Sequence, residues 1–195
     1  MDELQKLLSL FEAIEPLHKK VEGIGRGLDG PALNETRNAT FHLLKALRSQ
    51  DESEKIIQIE RAERHAQRAI YDCHEAVLLV ELDKLRAFKT DYKDVVIGDV
   101  IVNYQEGMQD AEHAKELIQS CRDNQKDRNN FYEEIDPLVK KISNFNKKCE
   151  IAREELNKSI RKDNQKNRLV IWGIIVTLLG TIGAFGAWLL PKTAG

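Results

Sequence analysis

The sequence carries no excess of charge of either sign: 30 Lys and Arg stand against 32 Asp and Glu in 195 residues. No global bias towards nucleic acid or acidic substrates follows from that balance. Cysteine is scarce and odd in number, and Cys73, Cys121 and Cys149 stand far apart without metal-ligand spacing. That excludes a disulfide framework and points to inert, semi-buried thiols in a reducing compartment. Carboxylate–histidine pairs are nearly missing as well. A diiron bundle wants two Glu-x-x-His pairs and a zinc protease a His-Glu-x-x-His, neither of which the chain has, and Asp110-x-x-His113 does not amount to either, so no metal and no cofactor is expected. The opening MDELQKLLSLFEAIEPLHKK starts with acids and lacks an apolar run, so it does not read as a secretory leader. β-Branched residues crowd together only in VVIGDVIV, residues 95–102, with no second strand to pair with, and the stretch reads as the start of a helix.

What is present is strongest near the C-terminus. Residues 169–191, LVIWGIIVTLLGTIGAFGAWLLP, carry no charge. At about 1.5 Å per residue they span the roughly 30 Å hydrocarbon core of a bilayer. Trp172 and Trp188 stand near the two ends, at headgroup level, and Arg168 marks the near interface. Arg161, Lys162, Lys166 and Arg168 precede the span, and only Lys192 follows it, which places the large N-terminal part in the cytoplasm and makes the protein single-pass and tail-anchored. The Asn-x-Ser/Thr triplets at Asn34, Asn38 and Asn157 are silent on that topology. Gly173, Thr177, Gly180, Ala184 and Ala187 follow alternating steps of four and three, a small-residue face suited to close helix pairing.

Upstream, apolar residues recur at helical spacing. Leu4, Leu7, Leu8, Phe11, Ile14, Leu17 and Val21 mark a first helix, with Pro16 a site for a kink. The glycine-rich GIGRGLDGP ends it. Pro31 suits the first turn of a second helix running to about Arg48, whose apolar arc is Leu33, Leu44 and Leu47. Asp51 or Ser53 caps a third helix that continues to about Phe88. Further on, Phe131, Ile135, Leu138, Ile142, Phe145, Cys149, Ala152 and Leu156 form a heptad seam that asks for a partner helix, from the same chain or another copy. Asp136-Pro137 reads as an end and restart within it.

Several motifs bear on function. Gly25, Gly27 and Gly30 have the G-x-G-x-x-G spacing of a dinucleotide turn, but a helix precedes them where that turn needs a strand, so they read as a helix terminus and loop. RNATFH, residues 37–42, resembles the Arg-Asn-x3-His signature of HEPN-like ribonucleases. That resemblance implies an all-α dimer in which Arg37 steadies charge on the scissile phosphate and His42 moves a proton, with RNA as substrate. The family's motif generally lies late in its bundle, whereas here it falls in the second helix, with Arg37 inside the apolar arc and His42 pointing away from it. Arg128 in a core position of the heptad frame, followed by eight layers and a basic linker, resembles a membrane-anchored fusion SNARE. Asn124, Asp110, Gly107 and Pro137 depart from that pattern. Arg61, Arg64, His65 and Arg68 form a basic ridge that Glu60 and Glu63 offset, a solvated face.

The sequence therefore predicts an all-α protein: a cytoplasmic helical bundle over 1–95, a helical, coiled-coil stalk over 96–168 and a transmembrane helix over 169–191. Its expected role is interaction or scaffolding at a membrane, with an unspecified protein partner. Self-association is expected through Phe131, Ile135, Leu138, Ile142, Phe145 and Leu156, and through Gly173, Gly180 and Ala184. A membrane-tethered ribonuclease using Arg37 and His42 is the alternative, and a SNARE-like fusion protein the third.

Overall fold

Helix boundaries fall where residue chemistry favours them. Pro31 sits in the first turn of one helix, and Asp51 caps the next by accepting a hydrogen bond from the Ser53 amide at 3.0 Å. The computed structural model describes residues 3–26, 29–123 and 127–189, excluding the side chains of residues 25, 26, 163 and 178–189. Its helices are α1 (Glu3–Val21), α2 (Gly30–Arg48), α3 (Glu52–Asp91), α4 (Tyr104–Arg122) and α5 (Arg128–Leu189). A π-helical turn, Glu22–Arg26, extends α1, and no strand occurs among the described residues. The all-α architecture is as expected.

VVIGDVIV behaves differently from its reading as a helix start. It contributes a 3₁₀ turn, Ile97–Asp99, and the chain turns at Asn103, whose left-handed φ of 62° separates it from α4. The β-branched residues disfavour a helix there, and Ile97 and Ile101 are buried instead as a plug at the end of α3.

α3 is the axis of the molecule. At 40 residues it is about 60 Å long, and the other helices pack along it. α1 runs parallel to it, with Lys6 on Glu63 and His18 beside Cys73. α2 returns antiparallel, pairing Glu35 with His65 and His42 with Gln58. α5 again runs parallel: Arg128 meets Asp72, Asn146 meets Glu81 and Arg153 meets Asp91. α4 lies antiparallel against α5, so close that a Cβ on Gly107 would stand 2.5 Å from the Phe145 ring.

Three expectations change. The seam residues Ile135, Leu138, Ile142, Phe145, Cys149 and Leu156 are buried within the chain, in one core with Leu78, Leu82 and Leu85 of α3 and Ala114, Leu117 and Ile118 of α4. Phe131 packs against the same core. The seam finds its partner in its own chain, and α4 and the part of α5 up to Ile160 pack on the bundle instead of standing off as a stalk. α5 also passes through Asp136-Pro137 without a break. Proline costs that turn one hydrogen bond, and Ile135, Leu138 and Val139, buried on either side, hold the helix against α3.

α2 turns a different face inward. Leu33, Leu44 and Leu47 are exposed, whereas Ala32, Ala39 and Ala46, one heptad apart, are buried. Ala39 shares a core with Ala62, Ala66 and Ala69 of α3 and with Leu7, Leu10 and Ile14 of α1. Small side chains let α2 approach α3 closely, and no room remains there for leucine.

α5 makes its last apolar contact with the core, among the described residues, at Ile160 and continues as one helix to Leu189. Among the described residues no helix is long and apolar enough to cross a membrane. The greater part of the predicted span, residues 178–191, lies outside those described with side chains, and Gly180, Ala184, Ala187 and Trp188 fall there. Arg168, Trp172 and Gly173 are described and exposed.

Candidate functional site

The spacing that buries alanine on α2 and α3 also aligns polar residues beside it. Glu35 and His42 are one heptad apart on α2, and Gln58, His65 and Asp72 repeat at the same interval on α3. Because the helices are antiparallel, the two stripes face each other. The Gln58 carbonyl oxygen is 2.6 Å from His42 Nδ1, and Gln58 donates from Nε2 to Glu54 at 2.6 Å. His42 and His65 stack with centroids 5.2 Å apart and planes 9° from parallel. His65 Nδ1 lies 2.6 Å from Glu35 Oε2, and Glu35 Oε1 lies 4.0 Å from the Arg128 guanidinium, which donates to Asp72 at 2.8 Å.

The acceptors fix which ring nitrogen donates. A carbonyl oxygen and a carboxylate can only accept, so both rings donate from Nδ1.

Next to this chain of groups a cavity of about 500 Å³ opens between α3 and the ends of α2, α4 and α5, lined by Asp29, Asp72, Glu75, Cys121, Arg122 and Arg128. Arg122 closes one side through two hydrogen bonds to Glu75, at 2.6 and 2.9 Å. Asp72 is buried with its Oδ2 unpartnered among the described residues. Burial pushes its carboxyl up to about 6, against the opposing pull of Arg128. His74, on the adjoining face, is held below its ordinary value by burial, opposed by Asp136 3.8 Å from Nε2. Burial pushes the Cys73 thiol up to about 12, so it is a packing residue and not a nucleophile.

Asp72 has a defined pH signature. An acid whose folded pKa lies above its ordinary value of 3.8 takes up a proton on folding between those two values. Its contribution therefore stabilises the fold as pH falls through about 6, and is complete below the ordinary value. A ¹³C NMR titration of the Asp72 carboxyl is expected to give a midpoint near 6, and Asp72→Asn to remove the matching part of the stability gain between about pH 7 and 4. A midpoint below 4 would overturn this account of the buried pair.

The predicted catalytic pair is divided. Arg37 is exposed and donates to Asn34 at 2.6 Å, while His42 is half-buried against Gln58. Five residues apart on one helix, they leave it about 140° from each other, and a single copy does not bring them to a common point. Of the basic ridge, Arg61 and Arg64 are exposed, whereas His65 turns into the polar layer. Among the described residues no His, Cys, Asp and Glu cluster has the makings of a metal site. Glu35, Gln58, His65 and Asp72 were not singled out from the sequence as site residues, although their heptad repeat is the signal that finds them. The chain matches no protein-family model, no curated protein and no solved structure.

Proposed function

We propose that this protein is a single-pass membrane protein anchored through the distal part of α5, with its helical bundle held on the cytoplasmic side as an interaction module. The continuity of α5 carries the reading. Its last apolar contact with the bundle core among the described residues is Ile160, and the helix runs unbroken past Arg161, Lys162, Lys166 and Arg168 into the uncharged residues 169–189. Those 21 residues measure about 31 Å as helix, the thickness of a bilayer core. Leu169, Val170, Ile171, Trp172, Ile174, Ile175 and Val176 are exposed around the whole circumference. A helix apolar on every side belongs in lipid or in a protein interior, and the bundle offers these residues no interior. The basic residues at its near end favour the cytoplasmic side.

Fractionation tests the reading. The full chain is expected in the membrane pellet and to resist alkaline extraction, whereas a chain ending at Arg168 is expected in the supernatant. An N-terminal tag should be digested by protease added from the cytoplasmic side of sealed vesicles. Release of the full chain by alkali would overturn the anchor.

A further inference from the structure

The cavity between α3 and the ends of α2, α4 and α5 has an open acceptor at its inner wall. Asp72 is 5% exposed; its Oδ1 accepts from Arg128 at 2.8 Å, while its Oδ2 has no partner among the described residues. A buried acceptor left open costs free energy that a donor would recover. Burial is graded outward from that point. Asp72, Ala76 and Cys121 are buried, Glu75 and Leu79 half-buried, and Pro31 and Arg122 exposed, so the space runs from the surface to the Asp72 carboxylate. At about 500 Å³ it has the size of a small-molecule site.

Charge decides which molecule fits. Asp29, Asp72 and Glu75 set three carboxylates on the wall against the two guanidiniums of Arg122 and Arg128. Each guanidinium is already paired, Arg128 with Asp72 and Arg122, through two bonds, with Oε1 of Glu75. An anion would have to break those pairs and would face the surplus carboxylate, whereas a cation offsets it. Among the described residues no carboxylates converge with other ligands on a point that could hold a metal ion, which leaves an organic cation. That cation must carry N–H groups, because an ionised Asp72 can only accept. Ala76 and Leu79 add apolar wall for a short hydrocarbon stem.

We propose that the cavity binds a small aliphatic amine, its ammonium group donating to Asp72 Oδ2 and its stem lying against Ala76 and Leu79 towards the mouth. Arg128 stands about 60 Å of helix before Leu169, so the site meets aqueous solutes whether or not α5 lies in a bilayer, and the proposal does not rest on the anchor.

Titration of the full chain in non-ionic detergent with n-butylammonium, at fixed ionic strength, tests the site. Tetramethylammonium, which carries the charge without an N–H, is the comparison. The expected result is a saturable change in the ¹³C shift of the Asp72 carboxyl with n-butylammonium alone. The midpoint of that carboxyl should also move below about 6 when the amine is bound, because a neighbouring cation favours the ionised form over the pull of Glu35 and Glu75. Affinity should fall about tenfold or more in Asp72→Asn, the order expected for a hydrogen bond to a charged group. It should fall as far in Ala76→Leu, which fills the space and leaves every carboxylate in place. Both variants are compared at unchanged helical signal, and Ala76→Leu with the wild-type titration decides the matter where Asp72→Asn does not fold. A carboxyl that ignores n-butylammonium, or that responds equally to tetramethylammonium, would make the open oxygen a water site and overturn the proposal. Binding that survives Ala76→Leu at full strength would overturn it as well.

Discussion

Ile142→Asp is expected to abolish the cooperative unfolding transition of the bundle, while Ile151→Asp on the same helix leaves it nearly unchanged. Ile142 is fully buried between α5 and the α3–α4 core, whereas Ile151 is 80% exposed. An aspartate at 142 would be a charge without a partner in an apolar core, a class of substitution that costs more than about 4 kcal/mol. Domains of this size have only about 5–15 kcal/mol to lose. At 151 the same change should fall within about 0.5 kcal/mol. Thermal melts of the full chain in detergent, followed by circular dichroism, would measure both. The comparison also decides what the heptad seam is for. If it joined separate chains, Ile142→Asp would lower the oligomeric state and leave each chain folded; as an internal seam it unfolds the chain itself.

The second large effect inverts a common expectation about hydrophobic residues. Ala39→Leu should destabilise by about 2–3 kcal/mol or more, because overpacking a closed contact displaces backbone, whereas Leu44→Ala should change stability by less than about 0.5 kcal/mol. Ala39 is fully buried in the core it shares with Ala62, Ala66 and Ala69, whereas Leu44 is 59% exposed. Chemical denaturation gives both values. A harmless Ala39→Leu would mean that α2 is not held at close approach.

Helix content, the Pro31 and Asp51 boundaries and the heptad of α5 were legible in the sequence because each depends on a local rule: backbone geometry, capping chemistry or apolar period. The long uncharged run that motivates the anchor is equally local. Which face of α2 turns inward was not, because Ala32, Ala39 and Ala46 carry little hydrophobic signal beside Leu33, Leu44 and Leu47. The choice between the two faces depends on the alanines that α3 presents opposite. The seam raised the same ambiguity: a heptad states that a partner exists, and only the return of the chain along α3 decides that the partner is internal. The polar layer belongs to the tertiary structure for a related reason. Glu35, His42, Gln58, His65, Asp72 and Arg128 come from three helices, and their heptad spacing acquires meaning only once antiparallel packing sets the stripes of α2 and α3 face to face and α5 brings Arg128 to Asp72. The sequence by itself determined the helices and their apolar period; the structure decided which faces meet, because that choice turns on side-chain volume and partners distant in the chain.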